Sequence, residues 1–116
     1  MMRNLCLFCF ILLLSSCASK GVYSWYGYEK DSYKYFRDRS PESLENLKDT
    51  YEYILYKQKG LRGIPPPGAY AERGFIALKE GFRDIGIHYF EREIETYPES
   101  KVFLTSLIDR LEKQDQ

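Results

Sequence analysis

Apolar residues recur along this chain at helical spacing, and alternating strand patterns are weak throughout. The clearest stripe is Leu44, Leu47, Tyr51, Ile54 and Leu55, with Gln58 as its polar exit. It predicts a helix over 41–59. Ser40-Pro41-Glu42 supplies the start, a hydroxyl cap followed by a proline at the first helical position and an acid that complements the dipole. Gly60 supplies the stop. Upstream, a short helix is expected over about 29–37. Downstream, one should open near Pro67 or Gly68, run to Glu80 and stop at Gly81. Another is expected over 83–96, ended by Pro98, and a last one over 99–113 with the stripe Phe103, Leu104, Leu107, Ile108 and Leu111. Between them, Gly60-Leu61-Arg62-Gly63-Ile64-Pro65-Pro66-Pro67 reads as a stiff connector, because three prolines in a row lack amide donors and favour an extended backbone. The fold class that follows is all-α.

The first apolar run is of another kind. Leu5 to Leu14 is greasy on every side, and Arg3 is the only charged side chain before Lys20. About ten residues match the apolar region of a secretory signal, roughly 7–15 residues. They fall short of the roughly 20 needed to span a bilayer as a helix. The run ends in Leu14-Ser15-Ser16-Cys17, which resembles a bacterial lipobox. That resemblance implies removal of residues 1–16 and lipid attachment at Cys17. Ala18, rather than Asp, follows the cysteine, which by the same resemblance implies the outer membrane, periplasmic face. The domain plan is then a signal over 1–16, an aromatic-rich tether over 17–28 and a helical domain over 29–116.

Composition changes the picture in three places. Charge is balanced, 17 basic against 17 acidic, so nothing points to nucleic acid. Cys6 and Cys9 leave with the signal, so the mature domain has neither a disulfide nor a C-x-x-C site. Aromatics are abundant, with 11 Tyr, 7 Phe and 1 Trp, and such side chains serve wet cores and partner interfaces alike.

Residues 67–100 resemble one tetratricopeptide repeat. Tyr70 takes the early aromatic position, Gly74 the close crossing, Gly81 the turn, Gly86 the usual alanine, Phe90 the later aromatic and Pro98 the closing proline. Arg73 and Glu93 depart from the pattern, standing where leucine and alanine are usual. Residues 30–60 read as a second, poorer pair. The architecture expected is therefore tetratricopeptide-like antiparallel hairpins with a C-terminal capping helix. Across the chain, Tyr-x-Trp-x-x-Tyr, Tyr-Lys-Tyr-Phe, Pro-Pro-Gly-x-Tyr-Ala-Glu-x-Gly, Tyr-Phe-Glu-Arg-Glu and Tyr-Pro-Glu-Ser-Lys-Val-Phe resemble a family of small bacterial lipoproteins, domain of unknown function 4810. Membership implies no catalytic residues. It implies neighbours that include a lipoprotein similar to the curli secretion channel.

Candidate chemistry is sparse. His88 is the sole histidine and has no ligand partners at metal spacing. Glu91, Glu93 and Glu95 sit two apart, about 200° around a helix, and read as solvating residues rather than a carboxylate pair. Gly60 and Gly63 lack the strand and the Lys-Ser/Thr of a phosphate loop. The chain reads as a non-enzyme without cofactor, metal or small-molecule substrate. The expected function is an adaptor for a protein partner, in an envelope or curli-type secretion lipoprotein assembly. Repeats of this kind offer the first helix of each hairpin to a concave surface. Glu72, Phe75 and Lys79 are the contacts expected there, with Trp25, Tyr26 and Tyr28 as aromatic contacts from the tether. The alternative is a structural, cell-wall-associated lipoprotein whose Tyr/Trp tether binds glycan.

Overall fold

The computed structural model describes residues 1–3 and 19–114, so Cys17 and the Leu14-to-Cys17 segment lie outside the described residues. From Tyr28 the described chain is five α-helices and one 3-10 turn: α1 (Tyr28–Asp38), α2 (Pro41–Tyr56), α3 (Ala69–Lys79), α4 (Arg83–Thr96), the turn Pro98–Ser100, and α5 (Lys101–Lys113). No strand occurs among the described residues. The protein is all-α.

Local chemistry explains the ends. Ser40 caps α2 by accepting from the Ser43 amide at 3.1 Å, with Pro41 at the first position. α1 opens with Glu29 and Asp31 and closes with Arg37, each sign at the favoured pole. Its last turn is closed by Arg39 in the left-handed region at φ 51°, unusual for a side chain with a Cβ. The Arg39 guanidinium lies 5.3 Å over Phe36 and 5.5 Å over Tyr35, and its Nε donates to the Phe36 carbonyl at 3.3 Å. Those contacts offset the backbone cost.

Successive helices pack in chain order, α1 on α2, α2 on α3, α3 on α4 and α4 on α5. Leu47, Tyr51, Ile54 and Leu55 of α2 meet Ala69 and Tyr70 of α3 and Tyr89 of α4 in the main core. The closest approach is between α3 and α4. A Cβ on Gly74 would lie 2.7 Å from the Phe90 ring and 3.0 Å from the Gly86 carbonyl, and one on Gly86 would lie 2.7 Å from Leu78. This is the crossing that the repeat-like spacing assigns to Gly74, and the hairpin is consistent with that architecture.

Four expectations need correction. α2 stops at Tyr56, not 59. The Gln58 amide leaves the helix to bracket Ser24, accepting from its amide at 2.9 Å and donating to its carbonyl at 2.8 Å. Gly60 is therefore not the helix stop but the place where Val22 and Tyr23 cross, since a Cβ there would lie 2.3 Å from the Val22 carbonyl oxygen. Glu93 does not solvate α4. It is 2% exposed and accepts from the Gly68 amide at 2.7 Å and from the Ala71 amide at 3.4 Å. It thus caps α3, which has no side-chain cap of its own, from across the hairpin. In α5 the buried anchor is Leu104, while Phe103, expected to help cap the array, is 65% exposed.

The segment expected to be a tether is docked from Gly21 to Gly27. The Gly21 and Val22 carbonyls accept from the Leu61 and Arg62 amides at 3.0 and 3.4 Å. Tyr23 takes a hydrogen bond from Arg62 at 3.0 Å, and the Ser24 hydroxyl accepts from the Lys59 amide at 3.2 Å. The Tyr26 hydroxyl donates to the Lys57 carbonyl. We call residues 21–27 the strap.

Candidate functional site

Three helical stripes converge on one groove. α1 contributes Tyr28, Ser32, Tyr35 and Phe36, α3 contributes Glu72, Phe75, Ile76 and Lys79, and α2 contributes Leu47 and Tyr51. Each set follows the three-to-four-residue step of a single helix face. The backbones of α1 and α3 do not come together, and the Tyr28–Glu72 hydrogen bond joins them at one end. Each leans on α2 instead, so a trough of about 260 Å³ opens between them. Leu47 and Tyr51, both buried, form its floor.

The walls are aromatic. Tyr28 packs edge-on against Tyr51 at 5.8 Å, and Phe75 against Phe90 at 5.0 Å. Phe36 and Phe75 keep much of their surface open to solvent even so. One end of the groove is acidic. The Glu72 carboxylate accepts from the Tyr28 hydroxyl at 3.1 Å and also from the Tyr51 hydroxyl. Burial, then the hydrogen bond to Glu72, pushes the Tyr51 phenol far above its ordinary range. Burial also raises Tyr28. Both phenols therefore stay protonated and remain donors to Glu72. Lys79 stands two turns further along α3, about 10 Å at 1.5 Å per residue.

The groove can hold apolar side chains against aromatic faces and offer one ammonium to an acceptor. Glu72 is engaged by two phenols and serves to fix Tyr28 and Tyr51 in place. Of the residues assigned to partner contact from the sequence, Tyr28, Glu72, Phe75 and Lys79 come together here. Trp25 lies beside them, 5.5 Å from Tyr28, and also packs on Tyr23 at 6.4 Å. Tyr26 belongs elsewhere, 5.5 Å from Tyr53 on α2. Tyr35 and Phe36, the outer wall, were missed by sequence reasoning. Their signal was the seven-to-eight-residue step from Tyr28, obscured because the helix is short and has no clean repeat register.

Outside the groove, Arg73 fills its unexpected position by lying 5.2 Å over the Tyr89 ring and 3.9 Å from Glu52. His88 is exposed beside Tyr89, ring centroids 6.2 Å apart. Among the described residues no three of His, Cys, Asp and Glu are grouped to hold a metal ion. Among the same residues no helix is long and apolar enough to cross a membrane.

Comparison with curated proteins and with solved structures returned no match. A family model described as Domain of unknown function (DUF4810) matches residues 22–107, from the strap into α5, and the chain belongs to that family.

Proposed function

We propose that this protein is a lipid-anchored adaptor at the periplasmic face of the outer membrane, and that its groove holds a segment of a protein partner. The observation that carries the reading is convergence. Residues chosen for partner contact from their sequence positions, Tyr28, Glu72, Phe75 and Lys79, line one trough with further aromatics. Its volume of about 260 Å³ is below the roughly 300–1,000 Å³ of small-molecule pockets. It suits one or two apolar side chains of a peptide laid between helices. Exposed Phe36 and Phe75 are the anchors that interfaces favour. The reading is non-catalytic: the groove's carboxylate is held in place by two phenols. The partner class that fits the family resemblance is an envelope lipoprotein assembly, including a secretion-channel-like component.

The anchor rests on Leu14-Ser15-Ser16-Cys17. Lipid-modified Cys17 carrying several acyl chains would hold the protein firmly, because one chain alone binds only marginally. Cys17→Ser should leave an unprocessed precursor that takes up no labelled fatty acid, and continued labelling would remove the anchor from this account.

The adaptor role is tested by crosslinking in native envelopes. Wild-type protein should recover an envelope lipoprotein at a defined ratio. Phe75→Ala with Lys79→Glu should lose that recovery while keeping the helical circular-dichroism signal. Undiminished recovery sinks the groove as the contact. Pelleting with isolated sacculi, without protein partners, favours the glycan-binding alternative.

A further inference from the structure

Charge in this chain is balanced overall but segregated in space. Residues 18–28 contain Lys20 and no Asp or Glu. Residues 53–71 contain Lys57, Lys59 and Arg62 and again no Asp or Glu. These two segments are the ones that the strap binds together, through Gly21 to Leu61, Val22 to Arg62, Ser24 to Gln58 and Tyr26 to Lys57. The fold thus gathers four cations at one end of the domain. The carboxylates that flank these segments in sequence are largely committed elsewhere. Glu72 takes the Tyr28 and Tyr51 hydroxyls, and Glu52 takes the Tyr89 hydroxyl at 3.4 Å and faces Arg73 at 3.9 Å. Glu29, at the start of α1, and Glu52 are exposed, and Glu52 lines a surface hollow with Asp49 and Lys57, so the uncompensated cations are those on the far side, Lys20, Lys59 and Arg62.

The same end exposes apolar surface. Leu61 is 67% exposed and Val22 51%, and their backbones lie side by side in the strap pairing. Trp25 and Tyr26 are also exposed there. Apolar side chains set among lysines and arginine, with Trp and Tyr alongside, fit a phospholipid surface. Leucine and valine enter the interfacial layer, aromatic rings rest at headgroup level, and long basic side chains reach the phosphates. Cations close to an anionic leaflet are each attracted to it.

We propose that this end of the folded domain, centred on Lys20, Val22, Lys59, Leu61 and Arg62, docks on an anionic phospholipid surface. The proposal rests on the anchored-lipoprotein reading for the presence of a membrane, and adds an orientation to it. The four residue steps from Cys17 to Gly21 reach at most about 14 Å. The docked strap therefore keeps this face within reach of the bilayer that the lipid enters. Arg62 and Lys57 also serve the fold, since Arg62 donates to Tyr23 and Lys57 lies 4.7 Å over the Tyr53 ring. Lys20, Lys59 and Leu61 are exposed with no such duty to their side chains.

Trp25 is the only tryptophan and sits on the strap, so it reports on docking without a label. The full chain, as purified from bacterial membranes, is reconstituted into vesicles of phosphatidylcholine alone or of phosphatidylcholine mixed with phosphatidylglycerol. Each set carries a fraction of brominated phosphatidylcholine. Trp25 fluorescence should be quenched in the mixed vesicles, less so in phosphatidylcholine alone, and released by added salt. Lys20→Glu with Lys59→Glu, which cancels the four positive charges, should lose most of the quenching at unchanged circular dichroism. Leu61→Ser should weaken it without altering the charge. Equal quenching in both vesicles and in all variants overturns the proposal. The mass of the Cys17 peptide separates the two readings. Unacylated protein with lipid-dependent quenching supports docking and removes the anchor. Acylated protein without it overturns docking and leaves the anchor intact.

Discussion

Replacing Gly74 by alanine adds one methyl group at the tightest point of the molecule. That methyl would stand 2.7 and 2.9 Å from two carbons of the Phe90 ring and 3.0 Å from the Gly86 carbonyl oxygen. Neither neighbour can give way easily. Phe90 is 0% exposed and packed against Phe75, and the carbonyl belongs to the backbone of α4. Overpacking of this kind costs about 1–3 kcal/mol. Against it stands the helix preference for alanine over glycine, about 1 kcal/mol. Because one of the two neighbours is backbone, the overpacking should lie in the upper part of its range, about 2–3 kcal/mol. The net loss should be about 1–2 kcal/mol, or ~5–15 °C in melting temperature for a domain of this size. Gly86→Ala is the internal control. Its methyl would strike the half-buried Leu78 side chain at 2.7 and 2.9 Å, which can rotate away, and would lie 3.1 Å from the Gly74 carbonyl oxygen, a milder backbone contact. That variant should lie within about 1 kcal/mol of wild type. Urea titrations followed by circular dichroism measure both. The double variant Gly74→Ala with Phe90→Leu should recover part of the loss, because the two sites share one contact. A Gly74→Ala protein as stable as wild type, or more so, would show that α3 and α4 do not cross as closely as described.

Glu93→Ala should cost about 1–3 kcal/mol, because it leaves the Gly68 and Ala71 amides without their acceptor; Glu93→Gln, which keeps a carbonyl oxygen, should lose less in the same titration. Gly60→Ala should expel the strap, since the new methyl would meet the Val22 carbonyl oxygen at 2.3 Å. Red-shifted Trp25 emission and cleavage by added protease within 21–27 are the signs to look for, and an unshifted spectrum counts against the crossing. Alkaline pH should destabilise the fold through Tyr51 and Tyr89, whose phenols burial raises above the ordinary value of 10.0. Above about pH 10 the unfolded chain releases those protons while the folded chain keeps them. Stability is therefore full below pH 10 and falls by about 1.4 kcal/mol per pH unit per tyrosine above it. Urea midpoints should fall as the pH is raised above about 10, less steeply in Tyr89→Phe, and a midpoint that does not move would contradict this.

The helices were legible because their signals are local. Ser40-Pro41-Glu42 states its own start, and Gly81, at φ 85°, its own turn. The α3–α4 crossing was legible because Gly74 and Phe90 stand at a spacing that one repeat requires. What escaped was long-range. Glu93 looks like a surface acid until the N-terminus of α3 is brought beside it, and only then do the free amides of Gly68 and Ala71 give it a reason to be buried. Gln58 looks like the polar end of a stripe until Ser24 lies against it, 34 positions away in the chain. The α3 wall of the groove was found because it sits in the better repeat. Of the α1 wall only Tyr28 was, because Tyr35 and Phe36 acquire their meaning from a gap between helices, which no periodicity records.

That gap has a thermodynamic side. α1 is 11 residues long and buries none of them completely. Isolated helices of that length are marginal in water. It is held by α2, by the Thr50 hydroxyl on Asp31 at 2.5 Å, and by the Tyr28–Glu72 hydrogen bond. Its opening therefore costs only a small part of the global unfolding free energy, and its amides should exchange with solvent well before those of α3 and α4. One wall of the groove is thus less stable than the α3–α4 hairpin that forms the other. A ligand that bridges both walls must also order α1, and its affinity is the contact free energy reduced by that cost. Substitutions that merely stiffen α1 will then tighten binding without touching the ligand.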